Sequence, residues 1–297
     1  MTVATGVFAA RRPELLRIGD HDLVRWETGG RPQLTPLVAD PDGGDGPLAG
    51  IVFHMARCGS TLLAHLLAAG RDTQVLDEPS VVNLVLADRG LTGPARRSLL
   101  RRLAATCGAG SDPAGAVVLK CTSWNVLHAD VLLSAFPGVP AVFVLRDPLE
   151  VLVSLTERPP GWLAPEPGTS REEQAAIAVA GYLDAAGRQL DRRWLLARYD
   201  ELPAAATAVA RHLGIGAATA DRAASIAASD VKHPGRPWRG DGPAKRARAS
   251  EDLRQAHRRH TEAAHERLLA AFAARGCRTG DAAGAGGDEA SPPASPP

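Results

Sequence analysis

The residue types and spacing that most clearly indicate a chemical function in this chain are those of five consecutive residues, Arg57-Cys-Gly-Ser-Thr61. They follow the apolar run Ile51-Val-Phe53 and precede a leucine-rich segment with helical spacing. A strand, a glycine turn and a helix start form the geometry that cradles phosphate, because the first N–H groups of a helix lack intrahelical partners and the dipole there favours an anion. Ser60 stands where the nucleotide-hydrolase loop G-x-x-x-x-G-K-[ST] has its lysine. The segment therefore predicts an anion site and argues against an ATPase.

Further polar residues follow each of the later strand candidates. Ligands of open parallel sheets bind outside the carboxyl ends of the strands, so these residues are expected to share one edge of the sheet. They are Asp77 and Glu78, Lys120, Arg146 with Ser154 eight positions later, and Arg198, Tyr199 and Asp200. Strand ends are often polar simply because they meet solvent. Basic groups, an acidic pair and a hydroxyl-rich turn together nevertheless indicate a site for an anionic ligand.

The elements that must position these side chains alternate between strands and helices. Short runs rich in β-branched residues predict strands at 51–54, 74–76, 117–119, 141–145 and 194–197. Longer segments predict helices at 172–190, 204–213, 217–228 and 250–274. This alternation is typical of βαβ units, so the predicted fold is α/β with a mostly parallel central sheet flanked by helices.

The flanking segments suggest three regions. Residues 1–49 contain one strand candidate at 23–27 and then a Gly-, Pro- and Asp-rich loop. Residues 50–278 form the predicted α/β domain. Residues 279–297, rich in Gly, Ala, Ser and Pro, are predicted to be a disordered tail.

Composition argues against several classes of protein. The 297 residues are 45% hydrophobic and 23% charged, which is ordinary for a globular protein, and the net charge of +1 gives no reason to expect nucleic acid or a membrane as partner. No uncharged run is long enough to span a bilayer, and the N-terminus does not resemble a secretory signal. The four cysteines lack metal-binding spacing and are expected to be reduced thiols, which favours a cytoplasmic location.

Two of the segments resemble motifs of sulfotransferases that use 3′-phosphoadenylyl sulfate (PAPS). Arg57-Cys-Gly-Ser-Thr-Leu-Leu63 is similar to their 5′-phosphosulfate loop, and its residues are closest to the variant of tyrosylprotein sulfotransferases and bacterial relatives. Phe143-Val-Leu-Arg-Asp-Pro148 with Ser154 is similar to their 3′-phosphate motif, and Leu196-Ala-Arg-Tyr-Asp-Glu-Leu202 to a later tyrosine-acid-acid-leucine segment. The resemblance covers about residues 50–215 and implies the P-loop-type, three-layer form of the fold.

The resemblance implies an enzyme that moves a sulfuryl group from PAPS to an acceptor hydroxyl or amine without a metal. The implied donor-binding residues are Arg57, Cys58, Gly59, Ser60, Thr61, Arg146, Ser154 and Tyr199. The implied catalytic residues are Arg57, Lys120 over the bridging oxygen and Glu78 as general base, with Asp77 as the alternative base. PAPS is then a co-substrate, the second partner is a small-molecule or peptide acceptor, and the oligomeric state is unknown.

The chain also departs from the family pattern. Cys58 replaces a serine, and the Lys-x-His segment that supplies a histidine base in many members reads Lys120-Cys-Thr122 here, which leaves Glu78 as the candidate. No clear counterpart of the Arg-Lys-Gly segment over the 3′-phosphate is present. Four basic residues of a Gly- and Pro-rich loop could serve instead: Arg236, Arg239, Lys245 and Arg246.

Other interpretations stay open. Asp77 and Glu78 could merely begin a helix whose dipole they complement, and Tyr199, Trp124 and Trp162 could be packing residues rather than contacts of adenine or acceptor. At the level of the whole chain, the alternatives are an ATP-dependent P-loop small-molecule kinase and a sulfotransferase-like protein that binds nucleotide without catalysis.

Overall fold

The computed structural model describes residues 14–18, 21–28, 31–37, 48–69, 73–109, 116–163, 166–202, 204–216 and 240–279. The helix predicted at 217–228, the residues Arg236 and Arg239, and all but the first residue of the predicted tail lie outside these ranges.

The N-terminal region contains a small antiparallel sheet. Its strands, in spatial order, are β1 (Glu14–Ile18), β2 (His21–Thr28) and β3 (Arg31–Pro36). The single strand predicted at 23–27 therefore found only the central one. The dipeptides Gly19-Asp20 and Gly29-Gly30 between the strands have the composition of two-residue hairpin turns, a signal that predicts both missed strands. Pro32 and Pro36 are tolerated because β3 is an edge strand, whose outer N–H groups need no partner.

The main sheet is parallel, and five of its strands coincide with the five predicted ones. They are β4 (Leu48–His54), β5 (Thr73–Asp77), β6 (Ala116–Lys120), β7 (Ala141–Leu145) and β8 (Trp194–Arg198), followed by the short β9 (Arg278–Thr279). Within the described ranges the spatial order is β5-β6-β4-β7-β8-β9. All five residues of β7 are buried, as expected for a central parallel strand covered on both faces.

Helices connect and flank these strands. They are α1 (Ser60–Leu67), α2 (Ser80–Ala87), α3 (Gly93–Ala109), α4 (Ala129–Ala135), α5 (Pro148–Glu157), α6 (Arg171–Gln189), α7 (Ala205–His212), α8 (Gly242–Arg248), α9 (Glu251–Ala256) and α10 (Glu262–Ala274). Two starts are marked by their residues: Asp147 caps α5 by accepting the N–H of Glu150, and Ser170 caps α6 by accepting that of Glu173. The predicted α/β fold, with a mostly parallel sheet flanked by helices, is confirmed.

The C-terminal part of the fold differs in two respects from the prediction. The helix expected at 250–274 is divided by a π-helical turn, His257–Thr261, between α9 and α10. Lys245 and Arg246, expected in a loop, lie on α8, whose start accommodates Pro243 because N–H groups of the first turn need no intrahelical partner.

The core surrounds the main sheet. Phe53 of β4 and Trp194 of β8 stack with ring centroids 5.2 Å apart, and the apolar residues of the flanking helices pack against the same cluster. Among the described helices, none is both long and apolar enough to cross a membrane. The close-packed sheet thus forms a rigid support for the loops at its carboxyl edge.

Candidate active site

The predicted site residues gather at the carboxyl edge of the main sheet, where hydrogen bonds tie neighbouring strand ends together. After β5, the Glu78 N–H donates to the Lys120 carbonyl oxygen at 2.8 Å. After β7, the Arg146 N–H donates to the Met55 sulfur at 3.4 Å. The Cys121 N–H also donates to the Val52 carbonyl oxygen at 3.0 Å, between β6 and β4. The segments that follow β5, β6, β4 and β7 therefore lie along one edge of the sheet, as the sequence predicted.

Residues 55–59, here called the anion loop, join β4 to α1 through unusual backbone conformations. Ala56, Arg57 and Gly59 have φ angles of 69°, 48° and 89°. A Cβ atom at position 59 would lie 2.6 Å from Cδ2 of Tyr199, so both the φ angle and the space require glycine there. The Cys58 side chain is fully buried, whereas that of Arg57 is exposed. An anion at this loop would therefore meet backbone N–H groups and one accessible guanidinium.

The anion loop is in direct contact with α5. Arg57 Nε donates a hydrogen bond to Ser154 Oγ at 3.1 Å, although the two residues are 97 positions apart. The two segments that the sequence singled out as phosphate motifs thus meet through their own side chains.

Lys120 ends β6 and is almost completely buried, with an exposed fraction of 1%. Its ammonium group donates to Asp77 Oδ1 at 2.7 Å and to Glu78 Oε1 at 2.6 Å. Burial disfavours the charged form, but the two carboxylates more than offset it and raise the pKa of Lys120. Lys120 is therefore a fixed positive charge within the site, not a lysine that extends from a strand end into solvent.

Glu78 lies outside any helix, because α2 begins two residues later at Ser80, after Pro79. Its φ angle is 50°, a strained conformation for a residue with a side chain. Burial raises the pKa of this carboxyl, but hydrogen bonding from His54 and the charge of Lys120 outweigh burial and lower it to about 2. The side chain stays 42% exposed, so a substrate can reach it.

Arg146 follows β7 and is buried between two carboxylates. Its Nε donates to Glu150 Oε2 at 2.9 Å and its Nη2 to Asp241 Oδ1 at 2.5 Å. The guanidinium carbon lies 3.8 Å from the ring centroid of Tyr199, a cation–π distance. Ser154, its predicted partner, instead accepts from Arg57. The structure thus brings Arg146 and Tyr199 together and links Ser154 to the anion loop.

Asp241, immediately before α8, accepts from three donors. Besides Arg146, these are the Tyr199 hydroxyl at 3.0 Å and Lys245 Nζ at 3.2 Å. Burial raises the pKa of Asp241, but Arg146 and then Lys245 outweigh that effect and hold it well below its usual range. A phosphate group that displaced this half-exposed carboxylate would meet the same donors.

Sequence reasoning missed both carboxylates around Arg146. Glu150 follows Arg146 by four positions at a helix start, a spacing that signals an ion pair. Asp241 lies 95 residues further along the chain, and no local pattern points to it.

The remaining predicted residues lie in less specific surroundings. Trp124 packs edge-on against His128, with centroids 5.3 Å apart, and Trp162 packs against Tyr182 at 6.2 Å. Asp200 is exposed and lies 3.4 Å from Arg198. Arg246 forms an ion pair with Glu150 rather than extending freely.

His54 is a further polar residue of the site that sequence reasoning passed over. It is the last residue of β4 and is only 4% exposed. Its Nε2 lies 2.9 Å from the Cys121 carbonyl oxygen and 3.5 Å from Glu78 Oε1. A histidine at the end of an otherwise apolar strand was the available signal.

Comparison with known proteins identifies sulfotransferases among solved structures. Sulfotransferase STF9 from Mycobacterium avium is 16% identical, with a TM-score of 0.47 over 73% of this chain and 76% of that one. The sulfotransferase domain of the Synechococcus olefin synthase is 16% identical, with a TM-score of 0.42 over 74% and 96%. The sulfotransferase from Alicyclobacillus acidocaldarius is 15% identical, with a TM-score of 0.40 over 77% and 96%.

By sequence, the chain matches no family model and no curated protein. TM-scores below 0.5 do not establish a shared activity, so function has to be inferred from the residues of the site themselves.

Proposed function

We propose that this chain is a PAPS-dependent sulfotransferase that moves a sulfuryl group to an acceptor hydroxyl or amine without a metal. The contact between its two phosphate motifs carries the proposal: Arg57 Nε donates to Ser154 Oγ at 3.1 Å. Tyr199 provides a second link, because its ring lies next to Gly59 and its centroid is 3.8 Å from the Arg146 guanidinium carbon. A ligand with phosphate groups at both ends could therefore contact both motifs at once.

The anion loop is assigned to the 5′-phosphosulfate end of the donor. Because the Cys58 side chain is buried, this residue would contribute through its backbone, as would Gly59, Ser60 and Thr61 at the start of α1. The exposed Arg57 guanidinium would neutralise charge on the leaving phosphate through its planar set of donors.

Lys120 is assigned to the bridging oxygen between phosphorus and sulfur. Sulfuryl transfer, like phosphoryl transfer, is promoted mainly by positioning and by fixed charges that stabilise the charge developing in the transition state. The neighbouring carboxylates keep Lys120 protonated and fix its position at the end of β6. The ammonium is thus already in place before substrates bind.

Glu78 is assigned the role of general base toward the acceptor. With Lys120 attached, its pKa of about 2 makes it a weak base. The negative charge of a donor bound beside Lys120 would offset part of that effect and raise the pKa of Glu78. The proposal therefore makes Glu78 a stronger base when the donor is bound.

Arg146, Tyr199 and Lys245 are assigned to the 3′-phosphate, the group by which PAPS differs from ATP. They are the donors that now surround the Asp241 carboxylate. Ser154 would position the Arg57 side chain of the anion loop. The acceptor, a small molecule or peptide, would approach Glu78 from solvent, and a cytoplasmic location remains part of the proposal.

Ligand-induced stabilisation tests the proposal directly. At roughly 100 times its dissociation constant, adenosine 3′,5′-bisphosphate should stabilise the protein by about 2.7 kcal/mol, a shift of several degrees in Tm. Adenosine 5′-monophosphate, which lacks the 3′-phosphate, is the matched control and should stabilise less, as should ATP with magnesium.

The alternatives give different results in the same experiment. Greater stabilisation by ATP with magnesium would indicate a kinase. Strong binding of the bisphosphate without PAPS turnover on a broad acceptor panel would indicate a nucleotide-binding protein without catalysis. Absence of stabilisation by any of these nucleotides would contradict the proposed donor.

A further inference from the structure

His54 is the buried polar side chain of the site to which the proposed chemistry assigns no role. It ends β4 among apolar residues, and only 4% of its surface is exposed. A buried imidazole is costly unless its nitrogens are hydrogen-bonded. Both nitrogens of His54 have partners, and these partners belong to the loops that follow β4, β5 and β6.

The two ring nitrogens of His54 contact different parts of the site. The Ala56 N–H donates to Nδ1 at 3.1 Å, which fixes a backbone group of the anion loop. Nε2 lies 2.9 Å from the Cys121 carbonyl oxygen, directly after Lys120, and 3.5 Å from Glu78 Oε1. One rigid ring therefore spans the anion loop, the segment after Lys120 and the candidate base.

These contacts also determine the tautomer. Burial lowers the pKa of His54, but side-chain hydrogen bonds with Cys58 and Glu78 outweigh burial and raise the pKa to about 9, which taken alone favours the doubly protonated ring. The contact with the Ala56 N–H opposes that form. A proton on Nδ1 would point at the Ala56 N–H, so Nδ1 has to act as an acceptor. The ring proton is therefore on Nε2, where it faces two oxygen atoms.

We infer that His54 is a positioning residue: Nδ1 holds the anion loop through Ala56, and the Nε2–H orients the Glu78 carboxylate. The inference rests on the proposed role of Glu78 as base, and it adds His54 as the residue that holds this base in position. Among the residues that the structure describes, Lys120 pairs with Glu78 and Asp77, and the titratable Cys58 also faces the His54 ring. His54 thus supplies a buried hydrogen-bond donor to Glu78, and the exposed part of the Glu78 side chain stays open to the sulfuryl acceptor.

Two conservative variants separate the two tasks of the ring. In His54→Asn, the amide can reach the Nδ1 position and accept the Ala56 N–H, but nothing occupies the Nε2 position. In His54→Gln, the longer side chain can place a donor near the Nε2 position, while the acceptor for Ala56 is lost. His54→Asn should therefore affect Glu78, and His54→Gln should affect the anion loop.

The first measurement is the titration of Glu78 by ¹³C NMR on protein labelled in the glutamate carboxyl groups, with Glu78→Gln identifying the resonance. His54→Asn should move the Glu78 pKa upward toward the ordinary value of a glutamate, because a donor to the carboxylate is lost. Its kcat should nevertheless fall by about tenfold, because the lost orientation of Glu78 outweighs its gain in basicity, while bisphosphate affinity stays unchanged. That loss is smaller than the 10²–10⁴-fold that a general base contributes in all. His54→Gln should keep the low pKa and bind the bisphosphate more weakly.

His212→Asn is the matched control. Its Nε2 also contacts two backbone carbonyls, those of Ala141 and Arg193, but at the amino ends of β7 and β8. This variant should change neither the Glu78 titration nor the bisphosphate affinity. A Glu78 resonance that titrates identically in folded His54→Asn and wild type would overturn the inference.

The wild-type protein gives a test that does not depend on how the variants fold. ¹⁵N shifts of the histidine rings should show His54 with its proton on Nε2, and a proton on Nδ1 would overturn the inference. If the wild type binds no bisphosphate, the proposed donor fails, but the tautomer and the Glu78 titration still decide the role of His54.

Discussion

Each end of the candidate site holds a buried cation between two carboxylates, but the carboxylates reach it in different ways. Lys120 is paired with Asp77 directly across the β5–β6 ladder and with Glu78, the next residue. Arg146 is paired with Glu150 on the helix that follows it and with Asp241, 95 residues later in the chain. The first arrangement depends on sheet register alone, whereas the second requires α8 to pack against α5.

This difference indicates where the molecule can adapt to a ligand. The register of β5 against β6 places Asp77 directly opposite Lys120, so the two residues cannot shift apart along the strands without disrupting the sheet. Asp241 is half exposed and is held by side chains of α8 and of two loops. We therefore expect a bound nucleotide to displace Asp241 while the Lys120 end stays in place, and four experiments examine this comparison.

The largest expected effect concerns the rigid end. Glu78→Gln removes the proposed base but keeps a side chain of the same size beside Lys120, so the transfer rate should fall by about 10²–10⁴-fold while bisphosphate affinity is retained. PAPS turnover under single-turnover conditions measures the rate. Asp77→Asn is the comparison, since it also contacts Lys120 and should reduce the rate less. A larger loss in Asp77→Asn would move the base to that residue.

The adaptable end should determine recognition of the 3′-phosphate. Arg146→Ala removes a charged hydrogen-bond donor, a contribution of about 1.5–3 kcal/mol, so the Kd for adenosine 3′,5′-bisphosphate should rise by roughly 10- to 100-fold. Affinity for adenosine 5′-monophosphate should hardly change. Calorimetric titration measures both constants.

Arg193→Ala is the control for Arg146→Ala, because Arg193 is also paired with an aspartate, Asp191, but before β8 at the opposite edge of the sheet. It should preserve the discrimination between the two nucleotides. Unchanged discrimination in Arg146→Ala itself, with the variant shown to be folded, would remove Arg146 from the donor site.

A smaller effect in the opposite direction is expected at Asp241. Asp241→Asn removes the negative charge that a 3′-phosphate would have to displace, and exposed ion pairs contribute about 0.2–1 kcal/mol. Bisphosphate affinity should therefore increase by roughly two- to fivefold, while the ligand-free protein becomes slightly less stable.

Asp184→Asn, which removes an aspartate paired with the exposed Arg267, should leave bisphosphate affinity unchanged. Weaker binding in Asp241→Asn would show that this carboxylate holds the donors in place for the phosphate instead of competing with it.

The last effect concerns stability instead of binding or rate, namely the pH dependence at the Lys120 end. The pKa of Glu78 is lowered from 4.5 to about 2 in the folded protein. The unfolded chain therefore binds the proton at higher pH, and the stabilisation is complete above 4.5 and lost as the pH falls toward 2. The urea midpoint of unfolding should decrease with falling pH less steeply for Glu78→Gln than for wild type. Equal pH dependences would show that ionisation of Glu78 does not stabilise the folded protein.

The strands of the main sheet could be predicted from the sequence because each is marked by an apolar pattern within a few neighbouring residues. Strands β4 to β8 are short apolar runs between polar loops, and buried parallel strands have this composition wherever they occur. The N-terminal sheet was harder to predict, since β1 does not alternate apolar and polar residues, β3 contains two prolines, and the clearest signal lies in the hairpin dipeptides beside them. Glu78 and Lys120 could be named because Glu78 follows β5 directly and Lys120 ends β6, and parallel strands bring their carboxyl ends together.

By itself, the sequence determined the alternation of strands and helices, the glycine turn before α1 and the identity of the cations at the strand ends. Only the tertiary structure decided that Ser154 contacts Arg57, that Asp241 lies against Arg146 and that His54 lies behind Glu78. The reason is physical: periodicity and turn chemistry act over a few residues. Contacts between side chains 24, 95 or 97 positions apart depend on how whole elements pack, and no local pattern encodes that.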